Sequence, residues 1–344
     1  MRRTLYASTL ALTLAVLATT AGAQSAQDPR RPPPPPKRTQ AQPASAVIPL
    51  PASDAVLTVD LRRLLTQVVP RVLSSDPARL AQVTTDIEQF KSRTGIDARD
   101  FSALSVGSRI TRLPSGATKI DRTVALATGT FRADALVAAA RAASKGTLAE
   151  QTYGGKTVYV LAVNDQLKLF GLLKMHVSEL AMSVLAPNML AVGEPGSVRA
   201  AIDAQAGRGR VEQSLLDFPK GADDFVGFAG NVPAGVLSGM DTGLPNVDRA
   251  VASIRSFYGS IGSTPAGVQM TTVLRAQTAN DAKQLYETAE AIRQIAPGLV
   301  TMAGERAKFA KGLIDSLKIT TKGNEVQLHL EVPQADISTL LSAL

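Results

Sequence analysis

Residues 124 to 145 read VALATGTFRADALVAAARAASK, and within this stretch the hydrophobic period changes from two to between three and four. Alternation over VALATGTF suits a strand, and the spacing over RADALVAAARAASK suits a helix that buries Leu136 and Ala140. The same step recurs at 268 to 296, at 189 to 205 and from Val326 to the end. In the fullest copy Val268, Met270, Thr272 and Leu274 share one strand face, while Ala282, Leu285, Tyr286, Ala289, Ile292 and Ala296 form one helical stripe. Thr278 caps that helix, with Asp281 three residues on. Pro195 and Pro333 suit first helical turns, the latter ahead of Ile337, Leu340, Leu341 and Leu344. The pattern predicts an α+β fold of largely antiparallel sheets with helices packed on one face, built from two related halves.

Working outward, Asp54 to Asp60 reads as a buried strand, followed by LRRLLTQVVPRVL, a helix that Pro70 kinks or ends. Asp76 and Pro77 open a second helix carrying Leu80, Val83, Ile87 and Phe90, which Gly95 stops. A turn at Ile96 to Asp100 leads to a strand over 104 to 110, and Pro114-Ser115-Gly116 turns the chain back. Tyr153-Gly154-Gly155-Lys156 marks another turn, and strands over 180 to 185 and 189 to 192 form a hairpin. Later, the strand from Asp224, a short helix over Asn246 to Arg255 and the strand at Phe257 echo the first half in abbreviated form. The boundaries are 51–207 for the first half, 208–221 for a connection and 222–344 for the second half.

Composition narrows the class. The 344 residues are 45% hydrophobic, enough for a sizeable core. The net charge of +8 is concentrated at the start: the first 50 residues hold six basic groups and one acid, which leaves +3 for the rest. Aromatics are 4% with no Trp, so bases have little to stack on and nucleic-acid binding is disfavoured. With no cysteine, disulfides, thiolate metal sites and a lipid-modified Cys anchor are all excluded.

Arg2 and Arg3 precede an apolar run from Leu5 to Thr20, and Ala21-Gly22-Ala23 supplies a small-residue cleavage site, so residues 1–23 read as a signal peptide cut between Ala23 and Gln24. An uncleaved anchor is the rival reading, although the run is shorter than the roughly 20 residues a spanning helix needs. Residues 24–50 form a Pro-rich basic linker: Pro32 to Pro36 favour an extended rod, flanked by Arg30, Arg31, Lys37 and Arg38. The expected address is periplasmic or secreted, with no integral membrane segment after cleavage.

Taken together, the export signal, the Pro-rich linker, the DAVLTVD stretch at 54 to 60, Thr94-Gly95-Ile96-Asp97 and Gly129-Thr130-Phe131 running into a helix resemble a group of uncharacterised exported bacterial proteins. The resemblance covers most of residues 52 to 340. It implies the α+β architecture and a bacterial address; that group has no assigned activity, so it implies no catalytic residue.

Few residues are candidates for chemistry. The two histidines, His176 and His329, cannot make a His-Glu-x-x-His zinc motif, and no Gly-x-Ser-x-Gly elbow or phosphate-cradling loop with Lys is present. His329 falls on the polar face of EVQLHLEV, with Glu325, Gln327 and Glu331. A Ser178–His176 dyad lacks a third orienting group. Asp97 with Asp100, and Asp223 with Asp224, could hold a divalent cation or act as an acid–base pair, or else serve as caps and strand-edge charges. Gly259-Ser260-Ile261-Gly262-Ser263 reads as a Gly-rich strand end or bulge.

No catalytic residue, cofactor site or metal site is assigned on this basis. The expectation is a non-enzymatic, envelope-associated binding or scaffolding protein whose partner is an envelope component. Alternatives are a periplasmic carrier of a small apolar molecule and a carboxylate-dependent hydrolase. Intact-mass measurement of envelope-fraction protein should give a chain starting at Gln24, and a mass that retains Met1 to Ala23 would identify the anchored form.

Overall fold

The computed structural model describes residues 48–113, 118–144, 148–162, 166–169, 173–176, 179–237, 242–302 and 308–337. The chain runs through β1 (Ala55–Asp60) into α1, which is α-helical over Leu61–Arg63 and Val69–Val72 and π-helical over Leu64–Val68 between them. Next come α2 (Pro77–Thr94), β2 (Phe101–Arg112), β3 (Thr118–Gly129) and α3 (Ala133–Ala143). The strands β4 (Leu148–Tyr153), β5 (Lys156–Ala162), β6 (Gln166–Leu169), β7 (Leu173–His176), β8 (Glu179–Ala186) and β9 (Met189–Gly193) lead to α4 (Pro195–Gln205). Then follow β10 (Asp224–Asn231), α5 (Pro245–Ala252), β11 (Ile254–Thr264), β12 (Gly267–Ala276), α6 (Ala279–Met302), α7 (Lys308–Ser316), β13 (Lys318–Lys322) and β14 (Glu325–Pro333).

Twelve of these strands form one antiparallel sheet in the order β13-β14-β12-β11-β10-β1-β2-β3-β9-β8-β5-β4, while β6 and β7 pair separately. The fold is therefore α+β with a large antiparallel sheet. Its middle is the pairing of β1 with β10, from Ala55 opposite Gly230 to Val59 opposite Val226. Outward from that seam the first four strands follow the same order in both directions, and β5 and β4 then extend one flank alone. One flank runs β2, β3 and the returning hairpin of β9 and β8; the other runs β11, β12 and the returning hairpin of β14 and β13.

Register assigns each side chain to a face. On one face, Leu126 lies opposite Ala191, and both pack with Val198, Ala201 and Ile202 of α4. On the other, Ala127 lies opposite Leu190, and both pack with Ala133 and Val137 of α3. Carried across the seam, this second face also holds Leu274 and Leu330, which pack with Ala282, Leu285 and Ala289 of α6. So α3 and α6 cover the same face, each following its strand through a short turn. Leu136 and Ala140 are half-buried there while Val137 and Ala133 are fully buried, so the stripe of α3 lies slightly round from the expected one. In α6 Leu285, Ala289 and Ala296 are buried and Ile292 is half-buried. Ile337 is buried; Leu340, Leu341 and Leu344 lie outside the described residues.

Two local readings are refined. Of the two readings of Pro70, the end of the helix is not met, since it runs on to Val72; the helix is distorted there instead, widening into a π-turn with the Val69 N–H reaching Leu64 O, which accommodates the missing proline donor and the bulk of its ring. The helix expected over Asn246 to Arg255 is α5, which stops at Ala252 because Ile254 already belongs to β11. Residues 208–221 also carry core side chains, since Val211, Leu215 and Phe218 are buried against the sheet. At the linker's end Leu50 is 0% exposed and Pro51 pairs with Arg210, so packing includes the last residues before the first strand. The turn expected at Pro114-Ser115-Gly116 lies outside the described residues.

Truncating Leu285 to Ala should destabilise the protein by about 2–5 kcal/mol, because it empties a fully packed site, whereas Glu287→Ala on the exposed side should stay within about 0.5 kcal/mol. Urea unfolding of the two variants measures the difference.

Candidate binding face

The two faces of the sheet are covered unequally. On the face opposite α3 and α6, α4 and the strap of residues 210–218 shield the strands from β5 to β10. Beyond β10, register places cross-strand rows on that face. Ser256, Arg275, Glu325 and Lys322 form one, Tyr258, Val273, Gln327 and Thr320 a second, and Ser260, Thr271, His329 and Lys318 a third. Among the described residues no helix lies over these rows. Arg275, Gln327, Lys318, Thr320 and Lys322 are exposed, whereas Val273 and Ser260 are buried and the other members of the rows half-buried.

A cleft of about 280 Å³ opens where the strap gives way to this surface, lined by Ser214, Asp217, Phe218, Tyr258 and Arg275 among others. Arg275 donates to Glu325 at 2.7 Å. Burial, followed by the neighbouring Glu325 carboxylate, pushes the Tyr258 phenol above its ordinary value against the opposing pull of Arg275, so it stays a neutral hydroxyl at physiological pH. On the strap's far side Lys220 Nζ donates to Thr58 Oγ1 at 2.9 Å and lies 4.6 Å from the centre of the Phe218 ring. Desolvation lowers the Lys220 pKa, with Asp224 opposing. A second cleft, about 250 Å³, lies between α1 and α2 on the helical face, among Leu65, Val69, Leu80, Val83 and Ile87.

The residues singled out from sequence are distributed among local structural roles. His329 lies in the third row, with Nδ1 3.1 Å from Thr271 Oγ1 and Nε2 3.3 Å from Glu331. Its polar-face placement is as expected. His176 ends β7, and Ser178 lies outside the described residues, so the dyad is not tested by geometry. Asp97 caps a single 3₁₀ turn: its carboxylate accepts from the Arg99 N–H at 3.0 Å and pairs with Lys91 and Arg99, each at 3.3 Å. Asp100 is exposed, and its backbone carbonyl accepts from Thr130 N–H at 2.9 Å. Asp223 pairs with Arg63 at 2.6 Å, while Asp224 accepts from Gly221 N–H and closes the turn before β10. Among the described residues no three His, Asp or Glu side chains gather as metal ligands.

The glycine-rich run at 259 to 263 leads to the end of β11 at Thr264, and the register against β10 shifts between Ile261 and Gly262, which pair with Val226 and Asp224, in line with the strand-end or bulge reading. A Cβ on Gly259 would sit 2.2 Å from Thr271 O and 2.5 Å from the Phe228 ring, so glycine here makes room for an aromatic cross-strand neighbour. The strap is not among the elements read from sequence, although Val211, Leu215 and Phe218 recur at spacings of four and three.

No family model matches this chain, and no curated protein matches it. Among solved structures, crystal forms I and III of TP0453 are similar, at 9% identity each and TM-scores of 0.43 and 0.44. They cover 86% of this chain and 95% and 97% of TP0453 respectively. That likeness is too distant to bear on individual residues of the face.

The backbone N–H of Arg99, helped by Lys91 and the Arg99 guanidinium, holds the Asp97 carboxyl below its ordinary 3.8. Its stabilising contribution is complete above that value and is lost as pH falls through the lower folded value. Asp97→Ala should cost about 1 kcal/mol at neutral pH, and the gap from wild type should close on acidification; urea titrations across the acid range measure it.

Proposed function

We propose that the protein is an exported, envelope-associated binding or scaffolding component that engages a polar protein surface through the bare face of β11, β12, β14 and β13. The observation that carries this reading is the contrast across one sheet. The face under α6 is filled with aliphatic side chains, whereas the opposite face of the same strands presents mixed-charge rows beside a cleft. Arg275, Glu325, Gln327 and Lys318 offer donors and acceptors of both signs, the kind of surface that recognises a polar partner. The two halves, on this reading, derive from one strand–helix unit used twice, in keeping with the matching order outward from the seam.

A carrier for an apolar molecule has less support, because both clefts fall below the roughly 300–1,000 Å³ typical of ligand sites. A hydrolase has less still: Asp97, Asp223 and Asp224 are occupied as caps, ion pairs and turn closures. Export rests on the sequence of residues 1–23.

The test is affinity capture from native envelope extracts with wild type, an Arg275→Glu/Gln327→Arg variant and a Glu287→Lys control, with protein and small-molecule fractions analysed by mass spectrometry. Capture of a single partner, lost in the face variant and kept in the control, is the expected result. Retention by the face variant, or recovery of a stoichiometric apolar molecule instead, would overturn it.

A further inference from the structure

The strands β2 and β3 outrun the sheet they belong to. Pairing of β1 with β2 stops at Ser108, and pairing of β9 with β3 starts at Val124, yet β2 and β3 stay paired from Arg109 opposite Asp121 to Arg112 opposite Thr118. The result is a two-stranded ribbon that extends past its neighbours in the sheet, with the Thr118 hydroxyl near its outer end donating to Val236 O at 3.3 Å. At its root Arg122 and Thr123 together oppose Ser108, a bulge in which Arg122 adopts φ 49°, the one non-glycine residue in the left-handed region among those described. Such a conformation costs roughly 1–3 kcal/mol, and a bulge of this kind bends its strand at the ribbon's root. The Ser108 and Thr123 hydroxyls, 3.1 Å apart, tie the bulge across the pair.

The side chains of this ribbon are unlike the rest of the surface. Ile110 and Ile120 face each other across the strands, and Ile120 is 62% exposed, the most exposed of the large apolar side chains described; Leu113 is 38% exposed. Around them stand Arg109, Arg112, Lys119 and Arg122 against the single ribbon carboxylate Asp121, which lies 3.5 Å from Lys119. Arg109 pairs with Asp54 at the root, at 3.3 Å, whereas Arg112 and Arg122 make no ion pair among the described residues. Aliphatic groups set among four cations, two of them without an ion pair, match the boundary between anionic headgroups and acyl chains, where the first gain by leaving water and the second by meeting phosphate.

At the ribbon's root Asp54 accepts from the Ile110 N–H at 2.9 Å and its own N–H donates to Ser108 O, while residues 50 to 52 run along residues 209 to 211.

We infer that the outer ribbon, Arg109 to Leu113 with Thr118 to Arg122, is a membrane-contact device that seats Ile110, Ile120 and Leu113 in an anionic lipid surface. This deepens the envelope-associated reading and rests on it only for where such a surface is met. A nucleic acid or acidic polymer would satisfy the cations but leave Ile120 in water, so the lipid surface accounts for both halves of the pattern.

The test uses the full purified chain with vesicles of phosphatidylcholine alone and of phosphatidylcholine mixed with phosphatidylglycerol. Wild type should sediment with the anionic vesicles, less at high salt, and not with the neutral ones. Loss of one ribbon cation should weaken partitioning about fivefold, and Arg112→Glu/Lys119→Glu by more; the uncharged Ile120→Ser should weaken it at unchanged salt sensitivity. Because the chain has no tryptophan, Ile120→Trp gives a single reporter whose emission should shift to the blue on adding anionic vesicles. Unchanged melting temperatures would show that the variants fold. Binding that survives every ribbon substitution but vanishes when Arg30, Arg31, Lys37 and Arg38 are replaced by Ala would overturn the inference. So would heparin binding that depends on the cations alone, with the indole emission of the Ile120→Trp variant unmoved by lipid. Neither outcome depends on whether the capture experiment finds a protein partner.

Discussion

Everything in this fold depends on one ladder of backbone hydrogen bonds, the antiparallel pairing of β1 with β10. Without it the chain would be two sheets, each with a bare edge. With it, Val56 and Ala229 share one buried face, and the strands on either side extend into a single surface of twelve. Thr58 strengthens the seam by donating its hydroxyl to Gly227 O. Gly227 has no Cβ there because Phe218 and Lys220 lie directly over it, so the end of the strap locks the seam from above. The positions of strap, cleft and bare face all follow from where this pair of strands sits.

A wide sheet has two faces to satisfy, and this chain treats them differently. The helical face is covered along its length because α1, α2, α3, α5, α6 and α7 are each joined to strands by short connections and must bury an apolar stripe nearby. Only α4 and the strap serve the other face among the described residues, and their cover ends at β10. The remaining strands solve the problem by composition, placing Thr, Gln, Lys, Glu and His on that face at alternate positions. A surface built in this way is stable when wet and rich in groups that can recognise a partner.

The sequence reveals the local steps well and the global arrangement poorly, for a physical reason. Period changes at Val124 to Lys145 and at Val268 to Ala296 are written within a single window, as are the caps at Asp76, Asp97 and Thr278. Nothing within a window says that Ala55 will lie opposite Gly230. Pro70 signals a distortion but not which one: the local rule allows an end or a kink, and with Val68 and Val72 buried the helix continues through a π-turn. The strap hides behind Gly207-Arg208-Gly209-Arg210, whose composition suggests a linker even though the apolar residues after it are core. As for the ribbon, the alternation of Arg109, Ile110 and Arg112 with Lys119, Ile120 and Arg122 is visible in the sequence, but its projection is a matter of where neighbouring strands stop.

The seam also governs the order in which the molecule can be completed. Thr58 and Gly227 are 169 residues apart, so their contact closes a long loop whose entropy is lost before any of its pairing energy is gained. High contact order of this kind slows folding. A chain that emerges from its N-terminus can assemble β1, β2, β3 and the β8–β9 hairpin while the outer edge of β1 is still unpaired, and an unpaired edge is a template for any passing strand. Completion waits for β10, the first strand of the second flank, and the docking of the two flanks is accordingly the step at which the edge of β1 is closed, leaving β4 and β13 as the edges of the sheet.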